Sequence, residues 1–131
     1  MARERQSGPS QRQLRVGEEL RHALAEIFRR ETFRDPDLAG VTLTFTEVRV
    51  SPDLRQATVY LMPLGGDARD KVLAGLGRVK SFLRRQVGSI VRLKFVPDLH
   101  FRIDESFDEA ERIDRLFRDP AVARDLDKDD G

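Results

Sequence analysis

The 131-residue chain has no cysteine, no tryptophan, one tyrosine and two histidines, His22 and His100. Without thiols there is no disulfide framework, cysteine nucleophile, thiolate zinc site or iron–sulfur cluster. Two histidines argue against a histidine-rich metal centre, so no metal is expected. No apolar run approaches the roughly 20 residues that span a bilayer, so no membrane role is expected. The opening MARERQSGPSQRQ carries charge but no apolar core segment. It does not read as a signal peptide, which leaves the cytoplasm as the expected compartment. A chain of this length is read as one domain with tails. It buries about two-thirds of its unfolded surface and needs no covalent staple.

Enzyme signatures are missing too. There is no G-x-x-x-x-G-K-[ST] phosphate loop, no H-E-x-x-H and no G-x-S-x-G. Gly75-Leu76-Gly77 is a G-x-G inside a helical pattern with no third glycine. His22 reads as helix-edge packing and His100 as a surface residue. Glu47 and Asp53 suit turns and solubility. Asp104, Glu105, Asp108 and Glu109 cluster without the glycine and spacing of a calcium loop. No nucleophile is paired with a base, so a binding protein is expected rather than an enzyme, and no cofactor is expected.

Charge is plentiful but unevenly placed. Residues 1–100 carry 18 Lys+Arg against 12 Asp+Glu, and residues 101–131 carry 6 against 11. A basic body is followed by an acidic tail. The tail is read either as a shield for the basic face or as a contact for a protein partner.

The hydrophobic pattern predicts α-β-β-α-β. Residues 1–10 read as a flexible basic lead-in, 11–106 as the folded domain and 107–131 as the tail. Val16, Leu20, Ala23, Leu24, Ile27 and Phe28 mark a helix from about Gln11 to Glu31. Asp35-Pro36-Asp37 and Gly40 make a loop. Val41, Leu43 and Phe45 start a strand whose phase slips at Glu47, as a β-bulge or strong twist would produce. Ser51-Pro52-Asp53 turns into a second strand, Ala57, Val59 and Leu61, which Pro63 and Gly65-Gly66 end. Val72, Leu76, Val79 and Leu83 mark a second helix, widened by Leu73, Phe82 and Val87, with Gly88 as its C-cap. Val91, Leu93, Phe95, Leu99, Phe101 and Ile103 predict one long strand, with Pro97 at an edge or bulge. Ala110, Ile113, Leu116 and Phe117 suggest a short helix in the tail. The expected fold class is α+β, with the helices on one face of a three-stranded sheet.

The informative feature is basic. Arg69, Lys71, Arg78, Lys80, Arg84, Arg85, Arg92 and Lys94 lie within 26 residues, opposed only by Asp70. Local i,i+4 acidic partners are missing. Such a surface attracts a nucleic-acid backbone by counterion release. The aromatics add nothing, since most phenylalanines fall on core stripes, and base stacking is not indicated.

The topology resembles the type II arrangement of KH domains, but no G-x-x-G occurs between the second and last strands. More closely, residues 10–117 resemble bacterial ribosome-binding factor A. The resemblance rests on Arg12-Gln13-Leu14-Arg15-Val16-Gly17-Glu18, Val48-Arg49-Val50-Ser51-Pro52-Asp53-Leu54 and Ala57-Thr58-Val59-Tyr60. Phe82-Leu83-Arg84, Val87-Gly88, Arg92, Pro97-Asp98-Leu99-His100-Phe101 and Asp104-Glu105-Ser106 complete it. The family commonly has an Ala-x-Gly kink before Phe-Leu-Arg. Val79-Lys80-Ser81 stand there here, so a kinked helix and a straighter one both remain open.

The resemblance implies a non-catalytic factor, monomeric when free, that binds the 30S subunit during late maturation of 16S rRNA. Many members matter most in the cold, and an assembly GTPase is a candidate partner. Arg78, Lys80, Arg84, Arg85, Arg92 and Lys94 are the expected phosphate contacts, with Arg12 and Arg15 widening the footprint. Arg84 and Arg92 lie in family-like segments, and the others follow from geometry. The rivals are a general KH-like nucleic-acid binder and a protein-interaction module with a basic face.

Overall fold

The computed structural model describes residues 8–64, 68–106 and 116. The chain runs α1 (Gln11–Arg30), β1 (Leu43–Val50), β2 (Gln56–Pro63), α2 (Arg69–Arg78), α3 (Lys80–Ile90) and β3 (Asp98–Ile103). The sheet order is β1-β2-β3, with β1 antiparallel and β3 parallel to β2. The fold is the expected α+β type, with the second helix split in two. Residues 1–7, the Gly65-Gly66 stop and the tail helix, apart from Leu116, lie outside the described residues.

Helix α1 starts where Ser10 and Gln13 cap each other. The Gln13 amide donates to the Ser10 hydroxyl at 3.1 Å, and the Ser10 amide donates to Gln13 Oε1 at 2.8 Å. Gln13 Nε2 also donates to the Val50 carbonyl at 2.9 Å, tying the helix start to the end of β1. Val16, Leu20, Ala23, Leu24 and Ile27 are buried along one stripe. They pack on Phe45, Val48, Val50, Ala57, Val59, Leu61 and Leu99, the inward residues of all three strands. Each fully buried leucine contributes roughly 1.5–3 kcal/mol. Gly17 lets the helix lie flat on the sheet. A Cβ there would sit 2.4 Å from the Val48 carbonyl oxygen.

The phase slip is a register shift between Phe45 and Glu47, which leaves Thr46 without a partner across the pair. The Ser51–Arg55 turn is held by side chains. Asp53 Oδ1 accepts from the Ser51 hydroxyl at 2.6 Å and the Arg55 amide at 3.0 Å.

Three sequence expectations need correcting. Gly88 does not cap a helix, because α3 runs through it to Ile90. Its bare Cα instead admits Val96, whose Cγ2 would lie 3.1 Å from a Cβ. The last strand does not begin at Val91. Residues 91–97 form a loop, and Pro97 stands fully buried just before β3. Alternation in that loop therefore reflects packing against α3 rather than pairing in the sheet. Phe95, placed on the core stripe by that alternation, is 55% exposed.

The helix does kink. Val79 has φ −99° and ψ 9° and separates α2 from α3. One residue in this bridge conformation turns the axis without resetting the apolar stripe, so Val72, Leu76, Leu83 and Val87 all remain buried. The two segments share β3 as a neighbour, but only α3 also packs closely on α1.

Candidate nucleic-acid interface

The structure divides the eight predicted contact residues by what their charges already meet. Arg78, at the end of α2, forks onto the loop after α1. Its Nε and Nη2 donate to Asp35 at 2.7 and 2.8 Å, and Nη2 reaches Asp37 at 2.6 Å. That hydrogen bonding pulls the Asp35 carboxyl down to about 2, and the two carboxylates hold Arg78 well above the usual range. Gly75 permits the docking, since a Cβ there would sit 2.9 Å from Leu38.

Lys80, in the first turn of α3, lies 3.5 Å from Asp98 at the start of β3. Arg84 has no carboxylate partner among the described residues. Its guanidinium donates to the carbonyls of Pro97 at 3.1 Å and Val96 at 2.8 Å. These three side chains therefore hold elements together. Acidic partners absent at i,i+4 are supplied by Asp35, Asp37 and Asp98 from other elements, which corrects the expectation of an uncompensated stripe.

The remaining predicted residues are different. Arg12 and Arg15 on α1, Arg85 on α3 and Arg92 after it are exposed, with no ion-pair partner among the described residues. Lys71 on α2 is likewise open. Lys94 meets no carboxylate among the described residues and lies 5.7 Å from the Phe95 ring centroid. Arg92 and Lys94 project from the loop and not, as the alternation suggested, from a strand.

That loop is firmly held. Val91 and Pro97 are buried, Val96 fills the gap at Gly88, and Arg84 grips two of its carbonyls. Arg15 and Arg92 line one groove between α1 and the end of α3. Glu18, Glu19 and Glu26 line it as well, so the positive surface stops at that wall.

The other flagged residues have ordinary partners. His22 is exposed and 4.0 Å from Glu18. His100 lies on the open sheet face, 2.6 Å from Gln56 Oε1 and 3.5 Å from Asp98. Glu47 accepts from Arg49 at 2.7 Å. Asp104 accepts from Thr46 at 2.5 Å and from the Ser106 amide at 2.9 Å. These hydrogen bonds, chiefly that of the Ser106 hydroxyl, lower its carboxyl below the usual range. Among the described residues no three acidic or histidine side chains gather in a way that could hold a metal ion, and no helix is long and apolar enough to cross a membrane.

Sequence reasoning missed Arg55. It comes to the loop only because β3 pairs parallel to β2, with the Asp98 amide donating to the Arg55 carbonyl at 2.9 Å. No local pattern signals such a pairing.

The comparisons agree on one family. The family model described as ribosome-binding factor A matches residues 12–117. Ribosome-binding factor A of Rhodospirillum rubrum is 60% identical over 126 residues, 96% of this chain and 77% of the relative. That of Bradyrhizobium sp. strain ORS 278 is 59% identical over 123 residues, 94% of this chain and 89% of the relative.

Among solved structures, the solution structure of a Thermotoga maritima ribosome binding factor A superposes with a TM-score of 0.61 at 29% identity. It covers 77% of this chain and 94% of that one. A homology model of Thermus thermophilus ribosome binding factor A, fitted into a cryo-EM map of a 30S complex, has a TM-score of 0.55 at 24% identity. It covers 68% of this chain and 91% of that one, and shares the fold. Curated relatives matching nearly the whole chain and a family model spanning the sheet and all three helices lead to one conclusion: the protein belongs to the ribosome-binding factor A family.

Proposed function

We propose that this protein is a non-catalytic assembly factor that binds the 30S ribosomal subunit and supports late 16S rRNA maturation. The observation that carries the proposal is a set of exposed arginines with no ion-pair partner among the described residues, Arg85 and Arg92 foremost, on a helix and loop that Arg84 holds in place. Arginines free of carboxylates exchange only water and counterions for phosphate. Fixed geometry lets them recognise the shape of folded RNA rather than base sequence.

Arg85, Arg92, Lys94, Arg12 and Arg15 are the contact residues in this reading. Arg78, Lys80 and Arg84 hold the surface in place. The folded domain is residues 11–106, with the flanking segments as accessories. The factor works as a cytoplasmic monomer, and growth in the cold and an assembly GTPase partner belong to the same reading. Family membership supports it, as does the subunit complex fitted for the Thermus thermophilus protein.

The test is co-sedimentation with ribosomal fractions at two salt concentrations. Association with free small subunits that is absent from 70S particles and weakened by salt is expected. Equal binding to every RNA-containing fraction would make this a general basic binder. Absence from all of them, with capture of an acidic protein instead, would replace RNA by a protein partner.

A further inference from the structure

We propose that Phe95, flanked by Arg55 and Lys94, is a stacking site for one unpaired nucleobase of the bound RNA; the inference rests on the RNA-binding reading above. Phe95 is the one phenylalanine among the described residues that is exposed, at 55%. An exposed phenylalanine alone says little. This one has two cations on it. The Arg55 guanidinium carbon lies 5.0 Å from the ring centroid and Lys94 Nζ lies 5.7 Å from it. Lys94 meets no carboxylate among the described residues, and Arg55 forms no ion pair there, though its charge helps, after the Ser51 and backbone hydrogen bonds, to lower the nearby Asp53 carboxyl.

The support beneath the ring is rigid. Pro97 and Val91 are buried on either side, Val96 packs at Gly88, and the Arg84 guanidinium grips the carbonyls of residues 96 and 97. The Asp98–Arg55 backbone bond fixes the distance between the hairpin turn and the loop. The loop is thus ordered while the ring stays in water, a platform whose ordering cost is met before a ligand arrives.

Its chemistry suits a nucleotide. The ring offers a π-face to any base, and the cations lie where the flanking phosphates would run. Cation–π contacts in water are weak beside a stacked base, so a base can displace one cation toward phosphate. Arg92 and Lys94 on the same loop continue the positive surface outward. A base inside a duplex has both faces covered by its stacked neighbours, so the site selects single-stranded or bulged RNA.

The chain has no tryptophan, so Phe95→Trp installs a single fluorescent reporter in the site. Its emission should be quenched by oligoadenylate and by 30S subunits, and much less by oligoadenylate paired with oligouridylate. Phe95→Leu keeps the apolar bulk and removes the π-face. It should bind 30S subunits about five- to a hundredfold more weakly with unchanged circular dichroism, while Phe95→Trp retains affinity. Saturable binding without quenching, or a leucine variant that binds like the wild type, would overturn the stacking site while leaving RNA binding intact. If the wild type fails to sediment with subunits at all, the RNA reading falls and the stacking site with it.

Discussion

Arg84 and Arg85 are adjacent on α3, yet they meet different surroundings. Arg84 lies half-buried with its fork closed on two backbone carbonyls, whereas Arg85 is exposed with no ion-pair partner among the described residues. The same division separates Arg78, clamped by Asp35 and Asp37, from Arg92, which is open. A positive charge that already satisfies an internal acceptor must give up that bond to meet a phosphate. One that faces water need not. The number of cations in a segment therefore overstates the number available for binding, and tertiary partners decide which are free.

The largest expected effect sharpens this contrast. Arg85→Glu with Arg92→Glu should weaken 30S binding on the order of tenfold or more, since two phosphate contacts become repulsions. The thermal midpoint should stay within a degree or so, because neither side chain holds another element. Paired binding and melting measurements on the double variant check both halves.

Next is Arg84→Ala, which leaves the carbonyls of Val96 and Pro97 without their charged donor. Allowing for partial exposure, the cost should be about 1–2 kcal/mol, seen as a melting midpoint several degrees lower. Affinity per folded molecule should change less than in the Arg85 and Arg92 variant. Equal losses of affinity would break the comparison.

Arg78→Ala should lower the melting midpoint by less, because the Arg78 side chain is half exposed and such pairs are screened.

Smallest is the acid limb. Asp35 has its carboxyl lowered to about 2 by Arg78. A lowered folded-state value means the pair stabilises the fold fully above the ordinary carboxylate range, near pH 4, and loses that contribution as pH falls through about 2. The melting difference between wild type and Asp35→Asn should therefore be constant above about pH 4 and vanish toward pH 2.

The contrast also explains what could be read without coordinates. Apolar spacing gave α1, the hairpin, the bulge near Glu47 and the buried stripe of the second helix, because each is recorded in local periodicity. The kink at Val79 was not legible, since a single bridge-region residue leaves the stripe in phase. Gly88 looked like a helix end, but its lack of a side chain serves the contact with Val96. Leu93 and Phe95 alternated with polar residues as a strand would, yet they belong to a loop on α3. In the candidate site, the basic segment was visible as composition. The partners of Arg78, Lys80 and Arg84 were not, because Asp35, Asp37 and Asp98 arrive from other elements. Arg55 was invisible for the same reason, being placed by the parallel β2–β3 pairing.

The most direct test of the division is the salt dependence of 30S binding for wild type, Arg85→Ala with Arg92→Ala, and Arg78→Ala. Each phosphate contact adds roughly 0.7–0.9 to the slope of log affinity against log salt. The double variant should lose between about 1.4 and 1.8 of that slope, and Arg78→Ala should lose none while still folded. A slope that falls as much for Arg78→Ala as for each open arginine would contradict the account.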